Sequence, residues 1–235
     1  ETVSDTIYYA VNPNVTPQDV PGSTKYGITD INNSTMRLYL HAPFHDNVYV
    51  IGNFTDWRAD VNYFMTPTVD GSGYWLDVPN LVPGQEIQFQ YLVDGSITIA
   101  DPYAEVVLDQ GNDGWIEEEN YPNLPVYPFG QASGFVTQHI FQEPDFQWLF
   151  PNFVKPPADN LVIYELLVRD FSEEQSFQGV LDRLDYLEQL GITALQFMPP
   201  QEYEGNNSWG YNPSYHGALD KYYGSQEMFK TLIDQ

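Results

Sequence analysis

The chain has 235 residues, of which 42% are hydrophobic and 16% aromatic, and this is too apolar for a disordered acidic chain. Its 8 Lys and Arg residues against 33 Asp and Glu residues give a net charge of −25 at pH 7. Such a charge repels phosphate backbones and anionic lipid, so nucleic acid and membrane surfaces are poor candidate partners. Cysteine is absent, which excludes disulfides, thiolate metal sites and cysteine nucleophiles.

The sequence also bears on the cellular compartment. No apolar run approaches the roughly 20 residues that a membrane-spanning helix needs, so no membrane span is predicted. The first residues lack the basic start and apolar core of a signal peptide. We expect a secreted or periplasmic protein whose signal peptide has been removed, because an acidic surface suits export. A cytoplasmic location is the alternative.

The first part of the chain predicts an all-β module. Residues 85–93 alternate polar and apolar side chains, a period of two that is typical of a half-buried antiparallel strand. Further short strands are predicted at residues 36–40, 48–52 and 73–78. Turn signals such as Asp94-Gly95 separate the strands. This spacing predicts a β-sandwich over residues 31–109, after an irregular lead-in over residues 1–30.

Residues 110–159 combine proline, glycine and asparagine with many aromatic side chains, and they hold no regular helical or strand period. Because those aromatic side chains need a surface to cover, we predict an ordered strap packed between two domains rather than a free linker. Residues 109–114 superficially resemble a calcium loop but lack the closing glutamate of an EF-hand, so they are interpreted as a turn.

From Asn160 onward the pattern becomes that of an α/β domain. Residues 161–168 form a near-continuous apolar run, typical of a parallel strand covered on both faces. Ser172 begins a capping-box pattern, apolar residues then recur at helical spacing, and Gly191 stands where a helix C-cap belongs. Residues 192–197 predict a second buried strand, which completes a right-handed β-α-β unit.

A second helix, capped by Ser225, is predicted to run to the end of the sequence. Two parallel strands do not make a stable sheet alone, because each has two apolar faces and an edge that needs a partner. We therefore expect residues 160–235 to be the truncated start of a larger α/β domain. The predicted fold class is multidomain, with an all-β sandwich followed by this truncated α/β segment.

Three stretches of this α/β segment, in order and at matching spacing, resemble the alpha-amylase family of glycoside hydrolases. They are residues 162–171, 190–199 and 206–224. The resemblance implies that residues 160–235 are the first β-α-β of a (β/α)8 catalytic barrel of the TIM type, with the third stretch as the loop after the second strand.

The β-module resembles the immunoglobulin-like glycogen-binding modules that precede many barrels of this family, on residues 50–57, 89–95 and 100–104. Binding members of those modules hold glucan on two tryptophans and a lysine. Trp57 matches the first tryptophan, whereas Gln90 stands at the lysine position and Ile97 at the second tryptophan position. Trp57 is therefore a candidate glucan contact, and packing or docking of the module is its alternative role.

The family resemblance implies an enzyme that acts on α-glucans (starch, glycogen, maltooligosaccharides) by a retaining mechanism. Retaining glycosidases need two carboxyl groups about 5 Å apart. The family places its Asp nucleophile, Glu acid and stabilising Asp after strands 4, 5 and 7, and no position of this sequence matches those motifs. We assign no catalytic residue and expect the chain alone to be inactive. The alternative is a non-catalytic α-glucan-binding or structural module.

Substrate positioning is what the resemblance carries over. Active sites of such barrels lie on the loops after the strands. Tyr211 matches the family tyrosine that stacks on the sugar ring next to the cleaved bond, since a flat aromatic ring suits the apolar face of a pyranose. Trp209 and His216 lie in the same loop and are further candidates for substrate contact, with loop packing as the alternative for both.

Other polar residues give weaker signals. Glu202 and Glu204 form an apparent carboxylate pair, but their separation is not fixed, and we interpret them as loop-ordering or solvated charges. Arg169 and Asp170 are predicted to pair in a structural role. The four histidines are scattered without metal-ligand spacing, so no metal site and no cofactor are predicted in this chain. Calcium stays open for the full-length enzyme.

Overall fold

The computed structural model describes residues 11–22 and 24–235 and divides them into two compact units. Among the described residues, unit 1 holds those up to Val107 together with residues 128–143, and unit 2 holds residues 108–127 and 144–235. Residues 1–10 of the predicted lead-in lie outside the described residues. The two units share the predicted strap, and the predicted boundaries at 31–109, 110–159 and 160–235 stay a prediction.

Unit 1 is built from short antiparallel strands. They are β1 (Gly27–Asn32), β2 (Thr35–His41), β3 (Val48–Gly52), β4 (Thr66–Pro67), β5 (Gly73–Pro79), β6 (Glu86–Val93), β7 (Ile97–Ile99), β8 (Val106–Asp109) and β9 (Phe135–Ile140), with a 3-10 turn at Val61–Tyr63. One sheet has the order β1-β2-β5-β4. The other has the order β3-β6-β9-β8, with β7 also paired to β6. This confirms the predicted mostly antiparallel all-β part of the chain.

The core of unit 1 lies between the two sheets and follows the predicted period of two. From one sheet, Met36 and Leu38 of β2 are fully buried. From the other, alternate residues of β6 are buried in the same apolar cluster, namely Ile87, Phe89, Tyr91 and Val93. Successive strand side chains point to opposite faces, so one face of each sheet forms the core and a sandwich results.

Two strands of unit 1 fall in segments that were predicted to be irregular. β1 begins within the lead-in and pairs with β2, from Gly27 opposite Tyr39 onward. β9 lies within the strap and pairs with β6. Three successive residues of β9, namely Val136, Thr137 and Gln138, are all buried. The strand therefore has no alternation of buried and exposed positions for the sequence to reflect. Its polar Thr137 accepts a hydrogen bond from the backbone N–H of Asp101 at 2.7 Å, which satisfies a buried donor.

The aromatic side chains of residues 110–159 differ in burial, and the packing of this segment between two domains stays a prediction. Tyr127 and Phe141 are buried. Others keep much of their surface exposed; these are Trp115, Phe129, Phe150 and Phe153.

Unit 2 alternates strands and short helices. In chain order these are β10 (Ile163–Leu166), α1 (Val168–Phe171), α2 (Phe177–Leu181), α3 (Leu184–Gln189), β11 (Ala194–Phe197), β12 (Gln201–Tyr203), β13 (Pro213–Leu219) and α4 (Gln226–Asp234), with 3-10 turns at Asp113–Trp115, Ala158–Asn160 and Lys221–Tyr223. β10 and β11 run parallel, with Ile163 opposite Ala194 and Leu166 opposite Phe197. This confirms the predicted β-α-β unit.

One local prediction about this unit is wrong, and it concerns a helix cap. In this chain Ile163 and Glu165 of β10 are exposed, and coverage of both faces of β10 stays a prediction. Ser172 does not cap α2 but stands at the C-terminal end of α1. The cap is Ser176, whose Oγ accepts from the backbone N–H of Gly179 at 3.2 Å. Ser172 instead lies against Gly179, where a Cβ would come within 2.1 Å of its Oγ.

The ends of the helices agree better with the sequence. Gly191, predicted as a C-cap, has a φ of +85°, the left-handed conformation that glycine adopts without a steric penalty. Ser225 caps α4 by accepting from the N–H of Met228 at 3.2 Å. α4 packs Leu232 into a core with Leu166, Val180 and other apolar side chains of β10 and α2. The strand ends of the parallel pair are thereby held in place.

Candidate functional site

The candidate site lies in unit 2, on the segment that follows β11. β12 and β13 form an antiparallel hairpin, and residues 204–212 connect its two strands. This hairpin comes directly after the carboxyl end of β11, which is where the loops of parallel α/β folds form binding sites.

The hairpin presents aromatic side chains to solvent. Trp209 is 64% exposed and Tyr211 is 67% exposed. His216, on β13, is exposed as well. Large exposed aromatic rings offer flat apolar faces with polar edges, the kind of surface on which a sugar ring can lie. The structure thus leaves all three predicted loop residues accessible, and none of them is core.

The connection that carries Trp209 and Tyr211 is tightly folded. Gly210 adopts a φ of +84°, and a Cβ there would stand 1.9 Å from the carbonyl oxygen of Pro199. Its N–H donates to Ser208 Oγ at 2.9 Å, and that hydroxyl is in turn hydrogen-bonded to Asn212. Glycine is required at residue 210 because any side chain would push the loop off Pro199.

Arg169, just after β10, is hydrogen-bonded to the loop of residues 204–212. Its Nε and Nη2 donate to the two carboxylate oxygens of Asp170 at 2.7 and 3.0 Å, which confirms the predicted pair. Its Nη1 donates to Asn207 Oδ1 and, at 3.4 Å, to the carbonyl oxygen of Ser208. The hydrogen bond from Arg169 lowers the pKa of Asp170. Arg169 therefore connects the end of the first parallel strand to residues 204–212, which we name the aromatic loop.

At the base of the hairpin lies a cluster of buried charges, which we name the Lys221 cluster: Asp113, Glu202, Asp220 and Lys221. Lys221 Nζ is 2.5 Å from Glu202 Oε1 and 3.2 Å from Asp113 Oδ1. The side chain of Lys221 is 3% exposed. Asp220 is buried and accepts from the N–H of Tyr222 at 2.8 Å. Lys221 Nζ therefore contacts two of the three carboxyl groups in this cluster.

Burial sets the protonation of this cluster. Desolvation, with the negative charge of Glu202 as a second cause, raises the pKa of Asp220 to about 8. Burial also raises the pKa of Glu202 and of Asp113, against the opposing attraction of Lys221. For Lys221, burial acts to lower the pKa, but the surrounding carboxylates outweigh it and the pKa is raised. Lys221 is thus charged at neutral pH, while Asp220 retains a proton.

The apparent pair Glu202 and Glu204 is not an acid/base couple. Glu202 is buried in its ion pair, whereas Glu204 is exposed. Glu202 therefore orders the loop and Glu204 is solvated, which are the two roles that the sequence indicated.

Residues 109–114 form the turn expected of them. Asp109 accepts from the N–H of Gly111 and from the side-chain amide of Asn112, at 2.8 and 2.6 Å. The N–H of Asp109 donates to Asp113 at 2.8 Å. Within residues 11–22 and 24–235, no group of three or more His, Asp or Glu side chains is arranged to hold a metal ion.

In unit 1, the three positions that match the glucan-binding residues of the related modules differ in burial. Trp57 is half-buried, with a φ of +57°. Gln90 is 1% exposed, and its amide donates to the carbonyl oxygens of Ser133 and Phe135 at 2.8 and 2.7 Å. Ile97 is exposed. Because Gln90 is buried and already hydrogen-bonded, it offers no donor to a ligand.

Two known enzymes are similar to this chain in sequence. Malto-oligosyltrehalose trehalohydrolase of Saccharolobus solfataricus is 40% identical over 92 residues, 39% of this chain and 16% of that protein. A 1,4-alpha-glucan branching enzyme of Clostridium perfringens strain 13 is 29% identical over 219 residues, 88% of this chain and 30% of that enzyme. No family model matches the sequence. These similarities agree with the resemblance to the alpha-amylase family found in the sequence.

Solved structures share the fold. The pullulanase of Paenibacillus barengoltzii, in complex with maltohexaose and alpha-cyclodextrin, has a TM-score of 0.64 at 22% identity and covers 92% of this chain. The GBS pullulanase SAP, in complex with maltotetraose, has a TM-score of 0.61 at 19% identity and covers 88%. The chain spans about a third or less of the length of these relatives, from 16% to 36%.

The Lys221 cluster is the feature that sequence reasoning missed. Its members are dispersed along the chain, and Asp113 stood in a segment interpreted only as a turn. The available signal was Lys221 itself, one of only 8 cationic residues, placed beside Asp220 at the end of the family-like loop.

In the part of the chain that the structure describes, no helix has both the length and the apolar character needed to cross a membrane.

Proposed function

We propose that this chain is the N-terminal portion of an alpha-amylase family glycoside hydrolase that acts on α-glucans by a retaining mechanism. The observation that carries the proposal is the exposure of Tyr211 and Trp209 on one tightly folded loop beyond the carboxyl end of β11. In this proposal Tyr211 stacks on a glucose ring, Trp209 extends the apolar floor and His216 contacts a sugar hydroxyl.

The relatives support the substrate class. A branching enzyme for 1,4-alpha-glucan and a malto-oligosyltrehalose trehalohydrolase match in sequence, and two pullulanases of the same fold were solved with maltooligosaccharides. Glucan chains offer repeated apolar pyranose faces ringed by hydroxyls, which suits exposed aromatic rings beside polar side chains.

In the proposed reaction this chain positions the substrate and does not supply the reacting carboxyl groups. Glu202 is used in the buried ion pair with Lys221, and Asp170 is used in its pair with Arg169. Neither is free to act as the nucleophile or acid that a retaining glycosidase requires. The chain's contribution is to hold one glucose unit in a fixed orientation, which lowers the entropic part of the barrier.

Unit 1 is proposed to be an accessory module with Trp57 in a packing or docking role. The buried state of Gln90 supports this over independent glucan binding by the matching three-residue site. We also propose export to a secreted or periplasmic location, which the net charge of −25 supports.

Tyr211→Ala tests the stacking role. In a full-length enzyme containing this chain, we expect kcat/KM for soluble starch to fall roughly 10–1000-fold, because about 1.4–4 kcal/mol of transition-state positioning is lost. Tyr186→Ala, which removes a similarly exposed tyrosine from α3, is the matched control and should leave kcat/KM unchanged. Unchanged kinetics for Tyr211→Ala would exclude stacking. Glucan binding without turnover by the full-length wild-type protein would favour a binding module.

Trp57→Ala tests the role proposed for unit 1. If Trp57 packs rather than binds, retention of the chain on granular starch should be the same for the variant and the wild type. The half-buried ring and the occupied amide of Gln90 are the reasons for this expectation. A severalfold loss of retention, with the variant still folded by circular dichroism, would instead place a glucan contact at Trp57.

A further inference from the structure

The Lys221 cluster closes the hairpin that carries the aromatic loop. Glu202 belongs to β12, and Lys221 follows β13 after one intervening residue. Besides the Nζ contact, the backbone N–H of Lys221 donates to Glu202 Oε2 at 3.3 Å. The two ends of the hairpin are therefore connected through one buried carboxylate.

A third segment of unit 2 is held at the same point. Asp113, in a 3-10 turn, contacts Lys221 Nζ, and the carbonyl oxygen of its neighbour Asn112 accepts from the side-chain amide of Asn206 at 3.1 Å. Asn120 donates to the carbonyl oxygen of Tyr222 at 3.1 Å. Residues 112–120 thus contact both the start of the aromatic loop and the turn that follows the hairpin.

Backbone pairing alone specifies this hairpin weakly. Gln201 pairs with Leu219, Glu202 with Tyr215 and Tyr203 with Pro213, so the register shifts twice within three residues. Pro213 has no N–H to donate to the ladder. A strand pair with so few regular hydrogen bonds is prone to alternative registers, and a buried ionic contact can select one of them.

We propose that Lys221, paired with Glu202 and Asp113, is the positioning group that fixes the register of the β12–β13 hairpin and so holds Trp209 and Tyr211 in their sugar-accepting geometry. The sugar-accepting part of this statement rests on the function proposed above, whereas the fixing of the hairpin does not.

The charge balance of the cluster gives the positioning a dependence on pH. With Asp113, Glu202 and Asp220 all ionised, one lysine faces three carboxylates, and the net charge is 1 − 3 = −2. The groups that face Asp220 are Glu202 and Tyr203 from β12, and Lys221 and Tyr223 from the following turn. Burial keeps a proton on Asp220 up to a pKa of about 8, and above it the unbalanced charge loosens the base of the hairpin.

Amide hydrogen exchange of the 235-residue chain tests the inference. The variant Glu202→Gln with Lys221→Met removes the ion pair without leaving a charged partner of that pair. We expect protection factors in residues 203–219 to fall at least about tenfold, while those of α4 and unit 1 hold. Arg183→Met removes a more exposed cation that pairs with Glu174 at 3.1 Å, and it should leave the hairpin protected.

The dependence of hairpin protection on pH is a second test, because a contact without a titrating group does not produce such a dependence. Wild-type protection of residues 203–219 should fall severalfold between pH 7 and pH 9, and Asp220→Asn should remove most of this fall. If the double variant loses its fold, the comparison of Asp220→Asn with wild type decides alone. Unchanged hairpin protection in the folded double variant, or a pH fall that is as large in Asp220→Asn as in wild type, would overturn the inference.

Maltoheptaose binding, followed by tryptophan fluorescence on the same samples, separates this inference from the proposed function. Wild-type binding that weakens in the double variant supports both. A hairpin that loses protection in the double variant, in a wild-type chain that does not bind maltoheptaose, would support the positioning role and contradict the proposed function.

Discussion

Replacing Lys221 by methionine is expected to destabilise unit 2 by about 3–5 kcal/mol, since removal of one partner leaves buried carboxylates without their cation. Lys221 Nζ lies within 3.2 Å of carboxylate oxygens of Asp113 and Glu202, and all three side chains are buried. A loss of this size is a large share of the roughly 5–15 kcal/mol that stabilises an ordinary domain. Urea unfolding, followed through NMR signals of unit 2, measures it.

Two further variants show whether this loss comes from the buried charge. Adding Glu202→Gln to Lys221→Met should recover part of the stability, because removing both members of a buried ion pair is far less costly than removing one. Arg183→Met, which removes a more exposed cation of the same unit, should change the urea midpoint little. Equal effects of Lys221→Met and Arg183→Met would refute a buried ionic cluster.

The second large expected effect is a fall in the stability of unit 2 as pH rises, with Asp220 as its principal source. Burial raises the pKa of Asp220 from 3.8 to about 8 in the folded chain. Between these two values the folded state binds more protons than the unfolded state, so stability declines as pH increases across this window. The difference corresponds to on the order of 5 kcal/mol.

The neighbouring groups do not reverse this sign. Burial raises the pKa of Glu202 and Asp113 as well, and this adds to the decline. The raised pKa of Lys221 contributes stability that is lost only above its unfolded value of 10.5, outside the window. With both effects included, the stability of unit 2 still falls as pH rises.

Asp220→Asn measures the Asp220 contribution. Asparagine keeps an oxygen that can accept from the N–H of Tyr222, so the turn at Lys221–Tyr223 retains its cap. The variant should be more stable than wild type at pH 9 and should show a flatter stability profile from pH 5 to pH 9 in urea titrations. Asp185→Asn, at an exposed position of α3, should follow the wild-type profile. An identical slope in all three proteins would assign the effect elsewhere.

Much of the fold was predictable because it rests on local periodicity. β2, β5 and β6 follow from alternation, and β10 and β11 from apolar runs separated by a helical pattern. Strand β9 was not predicted because it is buried on both faces and its partner β6 is distant in sequence. Such a strand has no alternation to detect, and only the completed sheet supplies its partner.

Helix boundaries show a different limit. Ser172 and Ser176 both precede helix-compatible sequence, and the capping-box pattern favoured the first. In the structure Ser172 ends the short helix α1 and lies against Gly179, so α2 begins later and is capped by Ser176. The caps at Gly191 and Ser225 were predicted correctly because no comparable competitor stands beside them.

The candidate site was predictable only where it resembles a family motif. Trp209, Tyr211 and His216 were identified in the loop after the second strand, and the structure places them at the surface. The Lys221 cluster beneath them joins segments far apart in the sequence, so no spacing rule brings Asp113 to Lys221. Its charges are also unremarkable in a chain with 33 acidic residues, and burial alone distinguishes them.

Residues 204–216 of this chain are proposed to form a glucan-accepting surface. Titration of the ¹⁵N-labelled chain with maltoheptaose, read by amide and indole NMR shifts, tests it most directly. We predict saturable shifts at the Trp209 indole and at amides around Tyr211, and their loss in Tyr211→Ala. Shifts confined to unit 1 around Trp57, or no shifts up to millimolar maltoheptaose, would contradict the account.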